Sequence, residues 1–336
     1  MHLADLTKHL QGLKGVRHKL DIQPVRGLLG SHGAADVPVG DDCAAIPDPA
    51  TGGHLLLAIE GLLDEFVAAE PWFAGYCAVM VNVSDVYAMG GRPVAVVDAL
   101  WTASAERAGP VWDGMTTAAG KYGVPIVGGH TNSRAAGDHL AAAILGRAGP
   151  KLLTSFDAKP GDRLVAAIDL RGEWYGPYPY WNASTTAPGD RLRGDLEILS
   201  GISESGLAAA GKDISMGGLV GTAAMLAEAS DAGVTIDVSR VPAPAGAAAE
   251  KWLASFPSYG FLLAVPPANV EAVLARFEAR GIAAADVGTF DDTGVVTLTD
   301  DTGAREAFRD VRRDGFIGFG RQGDRSAGRS AGQSRG

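Results

Sequence analysis

Cysteine is nearly absent from this 336-residue chain, which has only Cys43 and Cys77. A disulfide framework and repeated Cys-x-x-C metal ligation are therefore excluded. Positive charge is also in deficit: 29 Lys and Arg face 39 Asp and Glu, for a formal net charge of −10. That balance argues against a general nucleic-acid coat or an anionic-membrane surface, while leaving room for a local nucleotide pocket. No apolar run approaches the roughly 18 residues that a membrane helix needs. Asp5, Lys8, Lys14, Arg17 and Lys19 scatter charge where a signal peptide would be apolar. The expectation is a soluble cytoplasmic protein with a small-molecule partner and neither nucleic acid nor membrane. Aromatics are sparse at 7%, yet Trp174, Tyr175, Tyr178, Tyr180 and Trp181 all fall within residues 173–181.

Glycine, by contrast, is plentiful at 46 residues, with 18 prolines. They punctuate the chain without forming low-complexity tracts in its body, as in an α/β fold with many short connections. At about 100–200 residues per domain, the length suggests two domains. The stretch from Gly149-Pro150 to Pro160-Gly161-Asp162 marks the junction, giving an N-terminal domain of 1–149 and a C-terminal domain of 150–320. Residues 321–336 have almost no apolar content and are expected to be a disordered tail. Strands are predicted at 37–46, 54–60, 93–100 and 124–127, with helices at 73–89 and 106–122. The alternation continues with strands near 164–169, 234–237, 261–265, 285–290 and 295–298. Helices are predicted there at 196–210, 219–229 and 270–280. No regular element is expected in 173–181, where the aromatics could stack on a planar substrate, close a cleft or plug an interface.

Four segments carry candidate chemistry. Gly40-Asp41-Asp42 sets two carboxylates beside a glycine. Such hard oxygen ligands suit Mg²⁺, and a solvated turn is the competing reading. Asn82 and Asp85 lie three apart in an apolar helix, so both can point the same way. A buried carboxylate there is costly unless paired, which metal ligation would explain as well as a satisfied core Asp. Gly128-Gly129-His130 follows a short strand, where glycine lets backbone approach a ligand. His130 could be a metal ligand, a phosphate donor or a turn residue. Asp213, Ser215, Gly217 and Gly218 precede an apolar helix, where free amides and a hydroxyl can bind an anion or simply cap the helix. No Walker A loop is present.

Taken in order, these segments resemble the aminoimidazole-ribonucleotide (AIR) synthetase family, whose relatives include selenophosphate synthetase, thiamine-monophosphate kinase, HypE and formylglycinamidine-ribonucleotide synthetase. Gly40 to Ile46 is similar to the family's Gly-Asp-Asp-Ala-Ala strand. Residues 82–93 resemble its Asn-x-Ser-Asp-x-x-Ala-Met-Gly-x-x-Pro helix. Residues 127–131 and 213–219 match its Gly-Gly-His and C-terminal-domain segments, so the resemblance runs from Gly40 to about Leu298. It implies a two-domain PurM-like α/β (α+β) fold, with N-terminal domains joining across a homodimer into a β-barrel. It also implies ATP with Mg²⁺ and phosphoryl transfer to a small metabolite or activation of its oxygen. Carried over by position, Asp41, Asp42, Glu60, Asp85 and Asp213 would hold Mg²⁺, with Asp42, Asp85 and Asp213 catalytic. Gly40, Asn82, Gly128, Gly129, His130, Ser215, Gly217 and Gly218 would line the nucleotide site.

Three departures narrow the resemblance. Met216 stands where thiamine-monophosphate kinase has a second Asp, and residues 256–261 lack that kinase's carboxylates. No Cys precedes Cys43, as selenide chemistry would need. None follows Cys77, where HypE carries its substrate. A divergent paralogue fits best, and a catalytically degenerate nucleotide- or protein-binding homologue is the alternative.

Overall fold

The computed structural model describes residues 2–24 and 37–320. Two helices, α1 (Leu3–Gln11) and α2 (Lys14–Leu20), open the chain. The first half then builds a five-stranded sheet from β1 (Ala44–Asp48), β2 (Gly53–Leu62), β3 (Arg92–Trp101), β4 (Ile126–Asn132) and β5 (His139–Ala148). Its order is β1-β2-β5-β3-β4, antiparallel except for the parallel β3–β4 pair. Helices α3 (Asp64–Ala69), α4 (Pro71–Ala88) and α5 (Ala105–Tyr122) accompany it. Pro71 starts α4, where its missing N–H costs nothing. Gly90, at φ +77°, ends it in a left-handed conformation that glycine adopts freely. Between those points α4 is buried on nearly all sides, against the sheet, α5 and the second half. A helix apolar all round is a core helix, and Asn82, Ser84 and Asp85 are its buried polar exceptions.

The second half is a seven-stranded mixed sheet of order β14-β13-β10-β12-β6-β11-β9. Its strands are β6 (Arg163–Ile168), β9 (Ala210–Asp213), β10 (Gly233–Asp237), β11 (Gly260–Val265), β12 (Ala283–Asp291), β13 (Val295–Thr299) and β14 (Arg305–Asp310). Helices α6 (Gly189–Ser205), α7 (Gly218–Ala229), α8 (Ala249–Trp252) and α9 (Val270–Glu278) complete it. Strands β9 and β11 are buried at every residue, as expected of a sheet covered on both faces.

Packing does not follow the chain order throughout. Leu3, Leu6, Leu10 and Val16 of α1 and α2 pack in the core of the second half, beside Leu164, Leu219 and Phe308. Between the halves, α4 touches both β2 and β9. The expected strand at 37–46 is regular only from Ala44, because Gly40 (φ +119°) bends the chain before it. The helix expected at 196–210 runs from 189 to 205; residues 206–209 are a connection, and Ala210 opens β9. Two-residue strands, β7 (Glu173–Trp174) and β8 (Trp181–Asn182), pair across the aromatic segment where no regular element was expected. Among the described residues no closed barrel forms within the protomer, and the predicted tail at 321–336 lies outside them.

Candidate functional site

A cavity of about 310 Å³ lies between the halves, and its polar end is acidic. Asp41 and Asp42 reach it from the bend before β1, Glu60 from β2, Asp85 from α4, and Lys212 and Asp213 from β9. One carboxylate oxygen each from Asp42, Asp85 and Asp213 falls within 4.8 Å of the others. Three elements distant in sequence thus converge on one point, and all three residues had been marked as candidates from the sequence. Glu60 also lines this cavity.

The acidic end is held together by two partners that the sequence reading did not assign. Lys212 Nζ donates to Asp42 Oδ1, and the two side chains are only 7% and 6% exposed. Ser155 donates to Asp41 twice, from its backbone N–H at 2.8 Å and its hydroxyl at 2.6 Å. A lysine beside an aspartate in the buried strand 210–213 was the available signal for the first. Ser155 lay in a stretch legible only as an interdomain connection.

Electrostatically the cluster is under tension. Burial, reinforced by the Asp42 charge, raises Asp41 to about 6 and Asp213 to about 7. Burial, with Asp213 and Glu60 adding repulsion, lifts Asp85 well above the carboxylate range. Glu60 moves in the same direction, also by desolvation. Burial alone would depress the Lys212 ammonium, yet Asp42 and Asp41 outweigh it and raise its pKa. Asp42 Oδ2 and Asp85 Oδ2 are buried without a hydrogen-bond partner. Buried polar atoms are ordinarily satisfied, so orphaned oxygens within a three-carboxylate cluster fit a hard divalent cation.

Other candidates fall elsewhere. Asn82 is fully buried, and its amide donates to Ala78 O at 2.8 Å and Ala142 O at 3.0 Å. It ties α4 to β5 and does not line the cavity. Gly128, Gly129 and His130 are not a turn: they sit on β4, at the exposed edge of the five-stranded sheet, outside this cavity. The short strand expected at 124–127 continues through them because β4 pairs in parallel with β3 as far as Asn132. Ser215 does line the cavity, and its hydroxyl is buried and unpartnered. Gly217 and Gly218 form the start of α7 behind it. Gly218 has φ +66°, and a Cβ there would lie 2.2 Å from Leu253 O, so close packing explains this glycine. Gly40 lines the cavity under Phe319, where a Cβ would meet that ring's own Cβ at 2.4 Å.

The opposite end is apolar and aromatic. Phe66, Tyr180, Phe256 and Pro257 line it. Tyr180 stands edge-on to Phe66 (5.4 Å between centroids) and to Phe256 (4.9 Å). The segment 173–181 therefore contributes directly to the cavity, while Trp174 and Trp181 turn away to pack against Trp252.

Comparison with known proteins agrees with this geometry. The sequence profile described as AIR synthase related protein, N-terminal domain, matches residues 40–148, and its C-terminal counterpart matches 191–301. The chain belongs to the AIR synthase-related family. Uncharacterized protein sll0787 of Synechocystis sp. is 46% identical to this family member, across 94% of this chain and 98% of its own. The PurL subunit of phosphoribosylformylglycinamidine synthase from Mycolicibacterium vanbaalenii is 28% identical, over 73% of this chain and 34% of its own. Among solved structures, Thermotoga maritima PurL complexed with ADP superposes with a TM-score of 0.70 at 18% identity, covering 84% of this chain and 47% of PurL. HypE in its complex with HypF gives 0.65 at 19%, covering 84% of this chain and 98% of HypE. The chain thus spans about half of PurL, and these structural likenesses establish the two-domain PurM-like α/β fold. No helix among the described residues is long and apolar enough to cross a membrane.

Proposed function

We propose that this protein is an ATP- and Mg²⁺-dependent enzyme that phosphorylates a small metabolite or activates its oxygen by phosphoryl transfer. The observation that carries this reading is the convergence of Asp42, Asp85 and Asp213, with two orphaned oxygens, in a cavity between the halves. PurL structures with ADP, ATP and AMPPCP support a nucleotide in a fold of this kind. Bound here, Mg²⁺ with ATP would supply a transferable phosphoryl group and the positive charge that stabilises its departure. Asp42, Asp85 and Asp213 would hold the cation, with Glu60 at the margin. Ser155 fixes the rotamer of Asp41, and Lys212 fixes that of Asp42, so the carboxylates are oriented in advance. Ser215 offers a hydroxyl with no competing partner to an anionic oxygen. Phosphoryl transfer asks for positioning and charge neutralisation more than for a protein nucleophile, and that is what these residues can provide.

A homodimer belongs to the same proposal. Ile59 (71% exposed), Val127 (64%) and Leu57 (47%) crowd the five-stranded sheet with exposed apolar side chains, joined by Val97 and Ile46. Contiguous exposed apolar surface marks an interaction face. A second copy covering it would also bring Gly128, Gly129 and His130 of β4 into the interface. A binding role without turnover is the second reading, favoured by Met216 and by the carboxylate-free 256–260 segment.

Calorimetry with a non-hydrolysable ATP analogue tests the proposal. Binding should require Mg²⁺, be lost in EDTA and weaken about tenfold or more in Asp85→Asn. Absence of binding in both conditions would overturn the reading. ADP release with candidate metabolites separates an enzyme from a binding homologue.

A further inference from the structure

The two ends of the cavity differ in chemistry, and resting on the proposal above, that difference selects an acceptor. Among the described residues, the cations lining the cavity are Lys19 and Lys212, and Lys212 is already committed to Asp42. They face Asp41, Asp42, Glu60, Asp85 and Asp213. No arginine lines the cavity among those residues. A phosphorylated sugar would need such a fork, or several lysines, to offset its own charge. The aromatic end provides none: Phe66, Tyr180, Phe256 and Pro257 form an apolar wall. Burial there raises the Tyr180 phenol to about 12, so it remains neutral near physiological pH. Beyond the Tyr180 phenol, a second polar group interrupts the wall. Ser258 lines the cavity, and its hydroxyl is buried without a partner.

We infer that the acceptor is a small neutral molecule with a flat aromatic or heteroaromatic ring. Its ring seats against Tyr180, Phe66 and Phe256, one polar substituent meets Ser258 Oγ, and its reacting oxygen extends toward Asp42, Asp85 and Asp213. Aromatic rings favour edge-on or offset contact with one another, and Phe66 and Phe256 already stand edge-on to Tyr180 in the lining, a cluster that an incoming ring can extend. The nucleotide base is the rival occupant with the same ring chemistry. It carries a full edge of donors and acceptors, however, and among the described residues this wall offers two side-chain hydroxyls, those of Tyr180 and Ser258. Burying the remainder unpaired would be costly.

The test uses the full-length protein loaded with Mg²⁺ and the non-hydrolysable ATP analogue. Nicotinamide and indole serve as neutral ring probes, ribose 5-phosphate as the phosphorylated control, and ligand-observed NMR as the readout. At least one ring probe should bind, and ribose 5-phosphate should bind at least tenfold more weakly. Tyr180→Leu and Phe256→Leu should each weaken the ring probe at least tenfold while changing the affinity of the ATP analogue less than twofold. The Leu variants keep an apolar side chain while removing the ring, and unchanged thermal unfolding verifies that they fold. If neither ring probe binds, or if ribose 5-phosphate binds as well as they do, the inference is overturned. It is also overturned if the variants weaken the ATP analogue as much as the ring probe, which would seat the nucleotide base on the wall. Because binding of the analogue is measured separately, failure here is distinguishable from failure of the nucleotide proposal itself.

Discussion

The two halves solve the problem of a sheet's second face differently. In the C-terminal half, β9 and β11 are buried at every position, covered on both faces within the chain. In the N-terminal half, α4 covers one face, while the other bears Leu57, Ile59, Val97 and Leu145 in the open. Strand β2 records this as alternation, with Leu56 and Ala58 buried and Leu57 and Ile59 exposed. One half has β9 and β11 covered within the protomer, with help from α1, α2 and α4, and the other has apolar surface to spare. The candidate site lies at their junction, where Asp42, Glu60 and Asp85 come from the unfinished half and Lys212, Asp213 and Ser215 from the finished one. Assembly of the first half and chemistry at the seam are therefore expected to respond to different substitutions.

The largest effect should come from the bare face. Ile59→Asp removes about 2 kcal/mol of apolar burial per copy. Counted twice in a two-fold assembly, that weakens association roughly a thousandfold. Sedimentation should find a dimer before the substitution and a folded monomer after it; a wild-type monomer would end the comparison. Next, Lys212→Met strikes the seam. Removing one member of a buried pair leaves Asp42 without its cation, at a cost of about 3 kcal/mol in unfolding free energy. Asp42→Asn in the same chain should recover part of that loss in denaturant titrations. Asp85→Asn should be milder for stability, yet cost about tenfold or more in Mg²⁺-dependent nucleotide affinity. Equal affinity in the variant would remove Asp85 from the cation site.

The smallest effect concerns pH. Asp213 titrates at about 7 when folded, against an ordinary value of 3.8. Between those values the folded metal-free protein keeps a proton that the unfolded chain has released, so this group's contribution to stability falls as pH rises through that window. In EDTA, wild type should therefore lose thermal stability relative to Asp213→Asn from pH 5 to pH 8. With Mg²⁺ the trend should reverse, since cation binding favours the ionised carboxylates and strengthens over the same range. A pH-independent difference between the two proteins would show that Asp213 is not the titrating group.

Much of this was legible in advance where the signal was local. The apolar run ending at Gly90-Gly91 gave helix α4 almost to the residue, and Asp42, Asp85 and Asp213 were each marked by a charge beside glycine or within apolar sequence. Gly128-Gly129-His130 was placed beyond the end of a strand at 127 because two glycines commonly end a strand. Parallel pairing with β3 carries β4 straight through them, and no local pattern encodes a distant partner. Asn82 was expected at the ligand for its proximity to Asp85. It faces Ala142 on β5 instead, a contact set by packing between helix and sheet.

The sequence by itself determined the family, the alternation of strands and helices, and the identities of the acidic residues, because motif spacing and hydrophobic period are properties of neighbouring residues. Only the tertiary structure decided that Lys212 neutralises Asp42 and that Ser155 clamps Asp41. It alone placed Tyr180, from the aromatic segment, opposite the acidic cluster. Those pairings join residues more than a hundred positions apart, or depend on where a loop lands. They are set by how two sheets close over one buried helix, which is a property of the packed chain rather than of any stretch of it.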